Sequence, residues 1–297
     1  MIGYIIVNQE KKMNQWSLQV LIKDLISYTA TQNPTPREEI WASELGKPYL
    51  DTYLKMKGMP YTNPASGDGL FNFYLGKAIE TGIYDMLSKC GLAHTPQDRT
   101  VITLKDCLPL VGKPDIVLEV KNWDEVLKNA VIAGDDTNEV RVAEKTNLLK
   151  NLIKNWTKKY PKGLPLTPFE VKSCSEWSFN EAKQSGFRTV FPHYYLQAYT
   201  YLRALNVNEV HLLFISKGSK FLTEEVLILR SEQMDREWET EIRTISKNFK
   251  SNEEPAPEPL MVTNKWGKEG LNWRINYSSF KDYIVPKYYP ESLSIIK

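Results

Sequence analysis

Cysteine is scarce in this sequence. Cys90, Cys107 and Cys174 are the three in 297 residues, far apart and with no CxxC pair. An odd count at that spacing argues against a disulfide framework or a zinc knuckle and makes a reducing setting the expectation. No apolar run approaches the ~18 residues that a spanning helix needs, so an integral helical membrane protein is excluded and no membrane partner is expected. Charge of one sign is lacking too: 38 Lys and Arg face 36 Asp and Glu, a net charge of +2, so any nucleic-acid surface has to be a local patch. A GxxxxGK[ST] phosphate loop is missing, which speaks against a built-in ATP-driven motor; unwinding would need a partner. The opening MIGYIIVNQEKK has too short an apolar stretch and no basic leader before it, so it does not read as a signal peptide and a cytoplasmic location is expected.

What is present is the balance of a soluble globular chain: 42% hydrophobic, 25% charged and 11% aromatic residues, with enough length for one large domain or two ordinary ones. There is no repeat and no low-complexity block. Residues 1–65 read as an N-terminal helical segment, with helical spacing over 16–29. Residues 66–250 read as the main body. The Pro- and acid-rich SNEEPAPEP at 251–259 reads as a linker to a C-terminal segment that packs on the body, rich in aromatics (Trp266, Trp273, Tyr277, Tyr283). Within the body the periodicities predict a helix over 70–87, adjacent strands over 101–104 and 108–120, and a helical insertion over 121–163. They then predict a strand over 167–172, a helix over 193–205, strands over 210–216 and 224–230, and a helix over 232–249. The second inserted helix is amphipathic, with Leu148, Leu149, Leu152, Ile153 and Trp156 on one side and Lys150, Lys154 and Lys158 on the other. This order predicts an α/β fold, a mixed central β-sheet flanked by helices.

The residues with most chemical content are Pro114-Asp115 and Glu170-Val171-Lys172. Two carboxylates and a lysine on neighbouring strands suit hydrolysis of a phosphodiester assisted by a divalent cation. Strand alternation puts Glu170 and Lys172 on one side and Phe169 and Val171 on the other, leaving the Val171 carbonyl as a further oxygen ligand. Glu119 and Lys121 form a similar triplet but sit about 13 Å along the same predicted strand from Asp115, at ~3.3 Å per residue, too far to share an ion. His193, Gln197 and Tyr201 recur at i, i+4 and i+8 and form one polar stripe on their helix. Plainer accounts exist for each: a turn residue after proline for Asp115, a solvated strand face for Glu170 and Lys172, an exposed helix face for the stripe. Glu80, on the helix before the strands, fits a third carboxylate ligand or a surface glutamate.

GKPD at 112–115, FEVKS at 169–173, HYYLQAYTYL at 193–202 and, ahead of them, GKAIE at 76–80 together resemble the PD-(D/E)xK nuclease superfamily, in its RecB-like and lambda-exonuclease-like branch. The match spans roughly residues 70–230, and four motifs in order are far more specific than any one. The resemblance implies a restriction-endonuclease-like core. It implies metal ligands at Glu80, Asp115, Glu170 and the Val171 carbonyl, with Mg²⁺ or Mn²⁺ as the ion. Lys172 would orient or activate water, and Gln197 and Tyr201 would position DNA.

The implied activity is that of a metal-dependent deoxyribonuclease, an exonuclease in recombination, repair or phage DNA processing, with a recombination or replication protein as a conceivable partner. The alternatives are an endonuclease, a catalytically silent DNA-binding module of the same fold, and a structural protein whose motifs coincide. His193 and the basic stripe Lys150, Lys154 and Lys158 are candidate DNA contacts, the stripe being equally readable as a solvated face. The chain departs from CRISPR-associated RecB-like relatives where they carry cluster-binding cysteines: Pro48, Ile275 and Ser278 stand there instead, so no iron-sulfur cluster is expected. Oligomeric state is not legible.

Overall fold

The computed structural model describes residues 33–65, 67–94, 99–130, 139–218, 222–263 and 267–292. The helix expected over 16–29, and Trp266, lie outside the described residues. A short strand β1 (Ile40–Trp41) and a 3₁₀ turn (Ala42–Glu44) lead into α1 (Tyr49–Met56) and the long α2 (Gly67–Lys89). Four strands follow, β2 (Ala93–His94), β3 (Thr100–Ile102), β4 (Leu110–Gly112) and β5 (Ile116–Val120), then α3 (Trp123–Asn129) and α4 (Glu139–Lys159). After β6 (Leu164–Cys174) come α5 (Glu176–Ser185), α6 (Phe187–Val190) and α7 (Pro192–Ala204), then β7 (Glu209–Ser216), β8 (Thr223–Leu229) and α8 (Glu232–Ser251). The chain continues through β9 (Met261–Thr263), β10 (Glu269–Leu271), α9 (Trp273–Asn276) and α10 (Lys281–Tyr288).

The central sheet has the order β2-β5-β6-β7-β8, with β6 and β7 parallel and every other pair antiparallel. It is mixed and covered by helices on both faces. On one face, Ile79, Ile83 and Tyr84 of α2 pack on Ile116, Val171 and Ile215. The other face carries Leu212 and Phe214 into the largest core, with Phe179, Tyr199, Leu202 and Trp238 from α5, α7 and α8. The apolar stripe of α8, Met234, Trp238, Ile242 and Ile245, recurs every three or four residues and is buried throughout. Ser231 caps this helix by accepting from the Met234 amide at 3.2 Å.

The run over 108–120 is not one strand, as expected, but two strands in two sheets. β4 pairs with β1 and β3 in a three-stranded sheet, whereas β5 pairs with β2 and β6. The change of sheet falls on Lys113-Pro114-Asp115, where proline supplies no N–H to a ladder and a fixed φ. At Gly112 a Cβ would lie 2.8 Å from the Ala42 Cβ and 2.9 Å from Tyr201 Cε1, so only glycine lets the Tyr201 ring press on the end of β4.

The insertion differs in another respect. Leu149 and Ile153 of α4 are buried with Val120, Trp123 and Val126, but Leu148 and Leu152, expected on the same buried side, are 69% and 45% exposed. The helix rests on α3 and the end of β5, a contact only one row of side chains wide. Near the termini, Leu50, Tyr53 and Leu54 of α1 share a second core with Leu260, Ile275, Phe280 and Ile284. No described helix is long and apolar enough to cross a membrane.

Candidate active site

Antiparallel pairing of β5 with β6 puts Ile116 opposite Phe169 and Val117 opposite Pro168. Continued by one residue, this register sets Asp115 beside Glu170. The contact is made: the Val171 amide donates to Asp115 Oδ2 at 2.8 Å. Val171 points to α2, so alternation turns Glu170 and Lys172 toward α7. Glu170 is 1% exposed, and its Oε1 accepts from Lys172 Nζ and, at 2.6 Å, from Gln197 Nε2. The same Gln197 amide reaches the Tyr201 hydroxyl at 3.3 Å. Both Gln197 and Tyr201 are buried, so two members of the predicted stripe face the strand rather than solvent.

The electrostatics follow from burial. Asp115 is pushed up to about 8, first by desolvation and then by the neighbouring Glu170, with Lys172 opposing. Desolvation also raises Glu170, against the pull of Lys172. Burial works against the Lys172 ammonium, but Glu170 and Asp115 outweigh it and hold its pKa above the ordinary lysine range. Tyr201 is raised by burial and by Glu170. Glu170 Oε2 is buried and has no hydrogen-bond partner. A buried carboxylate oxygen left unpaired costs free energy unless something further binds it.

Glu80 comes to the edge of this group. It lines a cavity of about 500 Å³ together with Asp115, Lys113 and Lys77, and it acts electrostatically on both Asp115 and Glu170. Its carboxylate is turned, however, to Lys77 Nζ on its own helix. Among the described residues, no three of His, Cys, Asp and Glu form a cluster that could hold an ion. The pair Asp115 and Glu170 is therefore the centre of the site, with Glu80 beside it. Gly76, which opens the GKAIE motif, lets α2 approach β6: a Cβ there would meet Ser173 Oγ at 2.8 Å.

His193 is not brought to the carboxylates. It faces a separate cavity of about 170 Å³ with Lys47, Pro48 and Arg274, where burial and the Lys47 charge push it down to about 4. Ser278 lines the same cavity, its Oγ lying 2.8 and 2.9 Å from the two Asp51 carboxylate oxygens. Lys150, Lys154 and Lys158 lie on α4 and line neither cavity. Cys90, Cys107 and Cys174 are free thiols.

Sequence reasoning passed over several residues at the site. Tyr194 lies beneath the Lys172 ammonium, 5.1 Å from ring centroid to nitrogen, and was signalled only by its place in the HYYLQ run. Trp41, Arg99 and Lys113 join Gln197 and Tyr201 around a cavity of about 270 Å³. Trp41 comes from an edge strand remote in sequence, for which no local spacing gives a signal.

No protein-family model matches the chain, and no curated protein sequence matches it. Among solved structures, the chain is similar to SSO0001, with a TM-score of 0.49 and 10% identity over 94% of this chain and 99% of that one. It is also similar to an alkaline exonuclease, LHK-Exo, from Laribacter hongkongensis, with a TM-score of 0.39 and 11% identity over 77% of this chain and 93% of that one. At these values the functional reading rests on the residues of the site.

Proposed function

We propose that this chain is a nuclease of the PD-(D/E)xK type that hydrolyses phosphodiester bonds in DNA with Mg²⁺ or Mn²⁺, residues 66–250 forming its core. The observation that carries the reading is the group of buried Glu170 with half-buried Asp115 and Lys172, brought together from β6 and the start of β5, with the Glu170 Oε2 atom unpartnered. Two adjacent carboxyl groups, one buried and one half-buried, and an unsatisfied oxygen fit a hard divalent cation, which takes oxygen ligands and offsets their repulsion. Asp115, Glu170 and the Val171 carbonyl would hold the ion, with Glu80 as a further carboxylate at the cavity edge. A bound ion supplies a more acidic water and a counter-charge for the phosphoryl oxygens.

The chain's own residues divide the remaining work. Lys172, flanked by two carboxylates, is a charged donor that can hold the attacking water or a phosphoryl oxygen. Gln197 fixes the Glu170 carboxylate through its amide, and Tyr201 holds Gln197 in turn. Hydrolysis forms one bond from water oxygen to phosphorus and breaks the bond to the leaving oxygen, which leaves with a proton. An exonuclease in DNA recombination, repair or phage DNA processing is favoured by the resemblance of the α7 motif to exonuclease relatives, and a recombination or replication protein is the partner it suggests.

The test is degradation of end-labelled linear DNA and of covalently closed circles with Mg²⁺, Mn²⁺ or EDTA. Wild type is expected to consume linear DNA only with metal, and Lys172→Ala to lose at least about 10²-fold in rate while still binding DNA. Equal rates in Lys172→Ala remove Lys172 from the mechanism. Nicking of circles replaces the exonuclease with an endonuclease, and no cleavage under any condition favours the silent binding module.

A further inference from the structure

Beyond the carboxylates, four cavities follow one another around the molecule, each sharing a wall residue with the next. The cavity at Asp115 shares Lys113 with the one at Gln197 and Tyr201. That one shares Trp41 and Ser43 with a cavity of about 530 Å³ lined by Arg37 and Lys55. The last shares Lys47 and opens beside Arg274, Trp273 and Tyr277.

Their lining mixes cations and rings with acids, Glu80, Glu39, Glu44 and Asp51 among them. Lys113, Lys47 and Lys55 carry no ion pair among the described residues. Arg99, Arg37 and Arg274 are each fixed by an acid, Glu39, Glu44 and Glu258 respectively. Lys47 is largely buried, and desolvation together with Lys55 lowers its pKa to about 8. Glu44 and Asp51 act on it in the opposite sense but form no ion pair with it, so a further anion beside this partly desolvated ammonium is favourable. Between the cations stand large exposed rings: Trp41 is 42% exposed, Trp273, with the Arg274 guanidinium 5.7 Å from its centroid, 59%, and Tyr277 79%. Trp41 is held in place by the Arg37 guanidinium, 4.3 Å from its ring centroid, and by donation from its Nε1 to Glu39 at 3.1 Å.

We infer that these cavities form a track for a single strand of nucleic acid, with phosphates at Lys113, Lys55 and Lys47 and unpaired bases stacked on Trp41, Trp273 and Tyr277. Alternating cations and exposed rings are what an unpaired strand requires, since its bases present π-faces that a duplex hides in its own stack. The track leads a strand to the carboxylate pair and so rests on the nuclease reading, but to Lys113 of the GKPD motif it adds cations and rings from the N-terminal and C-terminal segments, outside the four motifs. The departure of the chain at Pro48 and Ser278 thus falls at an end of the track, where Lys47 and Arg274 line the cavity.

The experiment is an anisotropy titration of fluorescein-labelled twelve-residue oligo(dT), and of a blunt hairpin duplex, in EDTA so that no cleavage occurs. Wild type is expected to prefer oligo(dT), and the Trp273→Ala/Tyr277→Ala double variant, substituted at exposed positions and checked by its thermal melt, to bind it at least about tenfold more weakly. Lys47→Gln should lower the slope of log affinity against log salt by about 0.7, the mark of one lost phosphate contact on a single strand. No binding of oligo(dT), tighter binding of the duplex, or equal affinity of the ring variant overturns the track. If the rings matter but no divalent ion yields cleavage, the nuclease reading falls and the track stands. If DNA is cleaved and the variants bind as wild type, the track falls and the nuclease reading stands.

Discussion

Replacing Gln197 by leucine tests whether the Glu170 carboxylate is held as the geometry describes. Leucine nearly preserves volume at a buried position but removes the amide that donates to Glu170 Oε1 at 2.6 Å and to the Tyr201 hydroxyl at 3.3 Å. Glu170 is 1% exposed and its second oxygen already lacks a partner, so after the change Lys172 is the donor left to this carboxylate. A hydrogen bond to a buried charged group is worth about 1.5–3 kcal/mol, and the weaker one to Tyr201 about 0.5–1.5 kcal/mol. Gln197→Leu should therefore lose about 2–4 kcal/mol in urea denaturation followed by tryptophan fluorescence, with EDTA present. The deciding arm is a double-mutant cycle with Glu170→Gln. Once the carboxylate is neutral, removal of Gln197 should cost at least about 1 kcal/mol less, because what it leaves unpaired no longer carries a charge. An identical cost in both backgrounds, within about 0.5 kcal/mol, would refute the reasoning: Gln197 would then act by packing alone.

Three further outcomes are expected. Gly112→Ala places a methyl group against Ala42 and the Tyr201 ring, so it should cost about 1–3 kcal/mol by overpacking and slow DNA hydrolysis by shifting Tyr201, measured by denaturation and by initial rates. Ile153→Ala removes one of two buried anchors of α4 and should cost about 2–5 kcal/mol in that part of the chain, with hydrogen exchange rising over α3 and α4. His193 is a base whose folded pKa, about 4, lies below its ordinary value, through burial and then the Lys47, Arg274 and Lys172 charges. The unfolded chain takes up its proton first, so wild type should lose up to about 3 kcal/mol as pH falls from about 6.5 to 4. His193→Gln should lack that loss, and a parallel pH profile in the two proteins would exclude the effect.

Much of the architecture is legible as local periodicity. α8 shows its buried stripe in the spacing of Met234, Trp238, Ile242 and Ile245, and the alternation in Phe169, Glu170, Val171 and Lys172 already says which two side chains share a face. The mixed sheet flanked by helices follows from the order of such elements. What periodicity does not carry is where a strand changes sheets: 108–120 has continuous β-type character, and only Pro114 marks the break. Helical spacing likewise locates His193, Gln197 and Tyr201 on a stripe but not what meets it. About one turn separates His193, in the cavity with Lys47, from Gln197, which meets Glu170. Short elements fixed by long-range contact, such as β1 with Trp41, have no local signal at all.

The break at Pro114 also explains why charge can be buried here. A carboxylate inside a continuous strand would be enclosed by cross-strand neighbours on one sheet. At the point where the chain leaves the three-stranded sheet for the five-stranded one, Asp115 has a backbone donor from Val171 on one side and a cavity on the other. Glu170, one register step across, inherits that opening although its own surface is covered by Gln197 and Lys172. Holding an acid that burial raises to about 8 beside Glu170, and leaving one Glu170 oxygen unpaired, costs part of a net stability that is about 5–15 kcal/mol for a typical protein. Such a cost at one point of an otherwise consistent fold is what the proposed active site predicts. The same reasoning separates this pair from Glu119 and Lys121, an equal triplet in sequence whose ion pair, at 3.3 Å, has Lys121 80% and Glu119 30% exposed, where such a pair contributes little either way.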